Sequence, residues 1–183
     1  NLCSFNLKRH IKDKHHEVAA VFNTGDSKSD GHHWISMFLD ILGKKRDGPC
    51  IYYFDSYGRE PGGNVKKLID KITDQANKMN MPMGFKYNKN PFQQSGYECG
   101  MYAIHFIKEM LKGLQFEDIL NSQLMNDRTM VKLRDADEGG YLIGHHVMKG
   151  GRLTKKRSKN RAGKKGKKSK KRKKKTTRRR RRS

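Results

Sequence analysis

The sequence predicts an α+β domain followed by a basic tail, and three observations carry that prediction. Aromatic and β-branched runs at 17–22, 33–41 and 50–55 read as strands. Apolar residues recur at helical spacing across 64–79 and again from Cys99 onward. Half of the 42 lysines and arginines fall between Arg152 and Ser183, with no acid among them. Of the net charge of +24, the first 151 residues therefore carry only about +3. The tail has almost no apolar side chain to bury, so it is expected to stay disordered when unbound. The expected organisation is a domain over 1–135, a Gly-rich linker over 136–151 and a Lys/Arg-rich tail over 152–183. Strands lie between helices with no βαβ repeat, which favours a mostly antiparallel central sheet flanked by helices.

Residues 17–22 form a strand that ends in the turn-forming run from Asn23 to Gly31. Next, 33–41 is apolar nearly throughout, as a largely buried strand is. A charged hairpin loop, 43–49, leads into a third strand, 50–55, which Asp55 closes before the turn Ser56-Tyr57-Gly58. After Pro61-Gly62-Gly63, helical spacing puts Val65, Leu68, Ile69, Ile72 and Ala76 on one face. A short fourth strand is expected at 83–87. From Cys99, the apolar set Met101, Ile104, Ile107, Met110, Leu111 and Leu114 is interrupted only by Gly113, which sets Cys99 at a helix N-terminus. Shorter helices are expected at 116–120 and 126–134, the second capped by Asn126 or Asp127.

No run of ~18 apolar residues could span a bilayer, and no signal-peptide pattern opens the sequence, so neither membrane insertion nor export is expected. The first residue is Asn, as in a fragment or a processed product. Three cysteines, Cys3, Cys50 and Cys99, form no metal or disulfide framework and fit a reducing compartment. His15-His16, His32 and His145-His146 invite a zinc reading, but no cysteine or paired spacing supports it.

Cys99 alone reads as a buried core thiol. It gains meaning from its company. A thiol with the ordinary pKa of ~8.5 is mostly protonated at neutral pH, and a helix N-terminus and a neighbouring imidazolium both stabilise the thiolate. His33 is the best of the eight histidines for that role, because it opens a strand and precedes the single Trp. Strands 33–41 and 50–55 are joined by a short loop, so antiparallel pairing brings Asp55 toward His33, where a carboxylate fixes the imidazole tautomer. Gln93, six residues before Cys99, would donate to an oxyanion together with the Cys99 backbone N–H. Gln94 is the alternative donor.

These residues carry a resemblance. Gly31-His32-His33-Trp34, Tyr53-Phe54-Asp55-Ser56-Tyr57-Gly58 and Gln93-Gln94-Ser95-Gly96-Tyr97-Glu98-Cys99-Gly100 resemble the adenain-like cysteine proteases, a clan of adenovirus maturation protease, SUMO-deconjugating proteases and proteases of large DNA viruses. Asn23 and the run Asn126-Asp127-Arg128-Thr129-Met130, followed by Arg134, resemble the viral members more than the deconjugases. The resemblance spans about 18–134. Glu98 stands where Asp is more usual, and the upstream substrate-binding segments of the deconjugases have no evident counterpart. The resemblance implies a papain-related α+β fold, His33, Asp55 and Cys99 as triad, and Gln93 as oxyanion donor. It also implies that Trp34 lids a channel narrow enough to admit only glycine, the residue without a Cβ. Plain core filler is the other reading of Trp34.

Gly-Gly-containing proteins are the substrates this implies, with no metal or cofactor needed, and a peptide or DNA activator is a further implication. The chain carries its own candidate cut site, Met148-Lys149-Gly150-Gly151, at the join of domain and tail. A flexible linker is the alternative there. The tail, including Lys164, Lys165, Lys173, Lys174, Arg178, Arg179 and Arg180, reads as a nonspecific DNA or RNA ligand, since it has no aromatic to stack and no fold to read base edges. A nuclear localisation signal fits the same composition. The sequence reading is thus a monomeric viral maturation endopeptidase of the virion or the host cytoplasm and nucleus. Removal of a ubiquitin-like modifier is the alternative within the enzyme class. An acetyltransferase on the same triad, and a DNA-condensing core protein with an inactive protease-like domain, are the others.

Overall fold

The computed structural model describes residues 4–25 and 33–136. All of them belong to the first of two units into which contacts divide the chain, Asn1–Lys149 and Gly150–Ser183. The elements, in order, are α1 (Leu7–Lys12), β1 (Glu17–Asn23), β2 (Trp34–Asp40), β3 (Cys50–Phe54), α2 (Gly63–Asn77), β4 (Gly84–Tyr87), α3 (Cys99–Leu111), α4 (Phe116–Leu120) and α5 (Asp127–Ala136). Every expected element is present to within a residue or two. The helix α1 was not expected; its six residues are too few to show a period.

The sheet order is β1-β2-β3-β4, antiparallel except for β3 and β4. Parallel β3 and β4 are joined by α2, a single crossover, so the sheet is mostly antiparallel as expected. Both faces are covered. On one, Ile35, Met37, Leu39, Ile51 and Tyr53 meet Leu7 of α1 and Val65, Leu68, Ile69, Ile72 and Ala76 of α2. On the other, Phe38, Tyr52 and Phe54 pack against Met101, Tyr102, Phe106 and Met110 of α3, with Phe116, Ile119 and Met130 beyond. The alternation of β3, Ile51 and Tyr53 to one face and Tyr52 and Phe54 to the other, is the strand period of two. Burying each large apolar side chain contributes about 1.5–3 kcal/mol, so the sheet is a rigid base for its loops.

One part of the charged loop 43–49 is not solvated. Arg46 is buried between the rings of Phe38 and Tyr52, its Cζ 5.0 Å and 5.8 Å from their centroids. Its guanidinium donates to Asp40 Oδ2 at 3.0 Å, to the Leu114 carbonyl at 3.2 Å and to the Met110 carbonyl. Met110 lies in the last turn of α3 and Leu114 just past its end, where a cation is stabilised by the helix dipole. Arg46 therefore locks the far end of α3 to the sheet. Cys99 lies at the near end.

Candidate active site

Strand register builds the first half of the site. Ser36 of β2 faces Phe54 of β3, so His33, just before β2, and Asp55, just after β3, emerge at the same end of the sheet. Both are buried, and His33 Nε2 lies 2.7 Å from Asp55 Oδ1. A carboxylate only accepts, so the proton belongs on Nε2. Nδ1, also buried, is left with no hydrogen-bond partner among the described residues.

Asp55 is itself held from several sides. Its Oδ1 also accepts the Tyr57 N–H at 2.8 Å, and its carbonyl accepts the Gly58 N–H at 2.8 Å, closing a tight turn. Gly58 has φ +71°, and a Cβ there would meet the Asn90 carbonyl carbon at 2.8 Å, so the turn demands glycine. Asn88, just past β4 and almost fully buried, continues the sheet with its side chain. Its Oδ1 accepts the Asp55 N–H at 2.9 Å, and its Nδ2 donates to the Asp55 carbonyl at 2.6 Å. The Tyr57 ring packs against the His33 ring, with centroids 4.9 Å apart.

The second half is the loop from Gln93 to Cys99. Gln93 is 3% exposed, and Gln94 is exposed. Ser56 Oγ donates to Gln93 Oε1 at 2.6 Å, and Gln93 Nε2 donates to the Ser95 carbonyl at 2.8 Å. An amide NH2 has two hydrogens, so one remains without an acceptor among the described residues. Cys99 is the first residue of α3 and is buried, and Glu98 before it is also buried. No acidic side chain sits within the first turn of α3, but the N-cap residue is Glu98, whose carboxylate is paired with Arg134. Trp34 lies over that turn: its Cδ1 would be 3.6 Å from a Cβ on Gly100. It is 41% exposed, and Tyr97, two residues before Cys99, is 88% exposed. A half-exposed Trp is not core filler.

A cavity of about 470 Å³ opens beside the His33–Asp55 pair, lined also by Phe22, Asn23, Tyr53, Arg59 and Val65. The arrangement offers an imidazole with an open nitrogen, a fixed amide donor and a thiol at a helix N-terminus. Those are the groups that acyl transfer through a thiol needs.

Of the residues singled out from sequence, His33, Asp55, Gln93, Trp34 and Cys99 lie among the described residues. Met148, Gly150, Gly151 and the tail cations fall outside them, as do Cys3 and most of the 136–151 linker. Ser56, Asn88 and Asp127 were not singled out as site residues. Ser56 was adjacent to Asp55 and could have been suspected. Asn88 had no local signal, because its partner is 33 residues away.

The fold is that of α+β cysteine proteases. The crystal structure of the African swine fever virus protease superposes with a TM-score of 0.56 and 28% identity, covering 65% of this chain and 43% of that one. Residues 2–179 match the family described as YopJ Serine/Threonine acetyltransferase, and the chain belongs to that family. Among similar proteins are one of Acanthamoeba polyphaga mimivirus assigned as a thiol protease, 37% identical over 108 residues (58% of this chain, 34% of the relative), and the African swine fever virus cysteine protease, 28% identical over 125 residues (68% and 44%). Human sentrin-specific protease 8 is 26% identical over 85 residues, 46% of this chain and 38% of its own. The chain thus spans between a third and a half of the length of these relatives.

Proposed function

We propose that this chain is a cysteine endopeptidase that cleaves after Gly-Gly in viral structural proteins or polyproteins. The observation that carries the reading is the buried His33–Asp55 pair, which leaves Nδ1 as the only basic nitrogen of the ring. In the first step Nδ1 takes the Cys99 proton as Sγ attacks the scissile carbonyl. The oxyanion is stabilised by the remaining Gln93 N–H and the Cys99 backbone N–H, each donor contributing about 3–4 kcal/mol in comparable sites. Collapse expels the amine, which takes the proton back from His33 and leaves a thioester. His33 then deprotonates water, which attacks the thioester and releases the acid and the free thiol. Asp55 keeps the ring oriented and stabilises the imidazolium throughout.

The half-exposed Trp34 beside Gly100 fits the lid that the resemblance implies, and an indole closing such a channel would leave no room for a Cβ on the substrate. The protease names of the mimivirus and swine fever virus relatives favour a virus-infected host cell as the setting. Cleavage after Gly151 would release the basic tail, in cis or in trans. Uncut, the tail would hold the enzyme on nucleic acid, and with about ten phosphates neutralised log K would fall against log[salt] with a slope of roughly −9 on duplex DNA.

A second reading has its own observation. The family match favours acyl transfer to a hydroxyl instead of water, through the same thioester. The likeness to sentrin-specific protease 8 favours a folded modifier as substrate in place of a short peptide. One experiment separates these: wild type and Cys99→Ala are assayed on a Met-Lys-Gly-Gly peptide reporter, a modifier fusion and an acetyl-thioester donor, each with and without DNA. Peptide cleavage lost in Cys99→Ala is the expected result. Equal, negligible turnover by both proteins on every substrate would overturn the enzyme reading and favour a nucleic-acid-condensing core protein. The mass of incubated protein tests the tail: full-length mass persisting beside reporter activity would sink cleavage at Gly151.

A further inference from the structure

The loop between Gln93 and Cys99 has no strand or helix of its own until α3 begins, yet it must hold two reacting groups in register. Ser56 and Tyr57 hold one side of it, and the other anchors come from α5. Asp127 Oδ2 accepts the N–H groups of Gln94 at 3.0 Å and Ser95 at 2.8 Å, while Oδ1 accepts the buried Tyr102 hydroxyl at 2.9 Å. Asn126 supplies the helix cap through Oδ1 to the Thr129 N–H at 2.9 Å, which leaves the Asp127 carboxylate free for the loop. Ser95 is the relay. Its carbonyl takes Gln93 Nε2 at 2.8 Å and the Tyr57 hydroxyl at 3.0 Å.

At the other end of the loop, Arg134 Nη1 meets Glu98 Oε1 at 2.8 Å. Glu98 is 4% exposed, and its Oε2 has no partner among the described residues. Without the guanidinium, a buried negative charge would stand next to the thiol and oppose formation of the thiolate. Asp127 and Arg134 are seven residues apart, two helical turns, so they lie on one side of α5, with the fully buried Met130 between them anchoring the helix.

We propose that α5 is a two-point brace in which Asp127 positions the oxyanion donor Gln93 through Ser95, and Arg134 neutralises Glu98 beside the nucleophile. Both are positioning residues. This rests on the reading of Cys99 as nucleophile and Gln93 as oxyanion donor. The two ends act on different steps, and a merely structural helix would not separate them. Alkylation of Cys99 by iodoacetamide uses no oxyanion, so it reports the thiol alone.

The test measures reporter kcat and KM, the Cys99 alkylation rate at fixed pH, and the melting temperature. Asp127→Ala is expected to lower kcat about tenfold or more with KM within about threefold and alkylation within about twofold, a tenfold loss being about 1.4 kcal/mol. Asp127→Asn, which keeps an acceptor oxygen for the amides, is expected to restore most of kcat. Arg134→Met is expected to slow alkylation several-fold, and Arg134→Lys to restore it. Parallel losses in both readouts for both variants, tracking the melting temperature and not rescued by Asn or Lys, would overturn the brace. So would unchanged rates in folded Asp127→Ala and Arg134→Met. If wild type turns over no reporter, the functional reading fails on its own, and an unchanged alkylation rate in Arg134→Met still overturns the brace.

Discussion

His33 and Asp55 flank two paired strands of one sheet, whereas Gln93 and Cys99 sit at the ends of a loop held by side chains from distant parts of the chain. In the first half, the pairing Ser36–Phe54 already decides where the two residues go, and the bond at 2.7 Å needs only a small adjustment. In the second half the local bond from Gln93 Nε2 to the Ser95 carbonyl fixes the amide only relative to its own loop. The Gln93 amide depends on Ser56, 37 residues away in sequence, and the Ser95 N–H on Asp127, 32 residues away. Backbone register positions a residue by many shared hydrogen bonds, so losing one matters little. A loop pinned by single side chains loses its geometry when one is removed.

The largest expected effect lies in the first half. His33→Ala is expected to lower reporter kcat by at least about 10⁴-fold, and combining it with Cys99→Ala to cost no more than either alone, because members of one catalytic unit are not additive. Additive losses would break the pairing of the two halves. Next comes a position outside both. Arg46→Met leaves the Asp40 carboxylate buried without its cation and should cost about 3–5 kcal/mol in urea unfolding, while kcat of the folded fraction changes little. A stability loss below about 1 kcal/mol would mean that α3 is held to the sheet by other contacts.

Gln93→Ala should lower kcat by about 10²–10³-fold, or about 2.7–4 kcal/mol, with KM nearly unchanged. Gln94→Ala, on an exposed neighbour, is expected to leave both alone, and the reverse pattern would exchange the two roles. The smallest effect is expected at Asn88, which steadies Asp55 through two backbone hydrogen bonds. Asn88→Ala should destabilise by about 1–3 kcal/mol and reduce kcat modestly. Asn88→Asp should be worse, since a carboxylate cannot donate to the Asp55 carbonyl. If the aspartate variant matched the alanine one, the donor bond would not be what steadies Asp55.

The same contrast explains what could be read from the sequence. Strand and helix periods announced eight of the nine described elements, and with them the approach of His33 to Asp55. The spacing of Gln93 and Cys99 put both in one loop, and the apolar period after Cys99 made it the start of a helix. What holds that loop was not legible. Asn126 and Asp127 both read as candidate helix caps; Asn126 takes that task and frees Asp127 for a contact that no periodicity encodes. Arg46 read only as part of a charged hairpin loop, and it is buried against the end of α3. Asn88 had nothing nearby to mark it. Each of these is a long-range polar contact of a single side chain, and such contacts leave no repeating pattern.

The central claim is that His33 activates Cys99, and Cys50 is a built-in control for it. The two thiols are almost equally buried, 9% and 6% exposed, so access does not distinguish them. Burial pushes the Cys50 thiol up, and among the described residues its neighbours Tyr52 and Lys86, not an imidazole, oppose that. The decisive measurement is the rate of iodoacetamide alkylation at each cysteine near pH 6.5, mapped by peptide mass in wild type and His33→Ala. The account predicts that Cys99 reacts at least about a hundredfold faster than Cys50, and that His33→Ala removes most of the difference. Similar slow rates at the two cysteines, or a Cys99 rate untouched by His33→Ala, would contradict it.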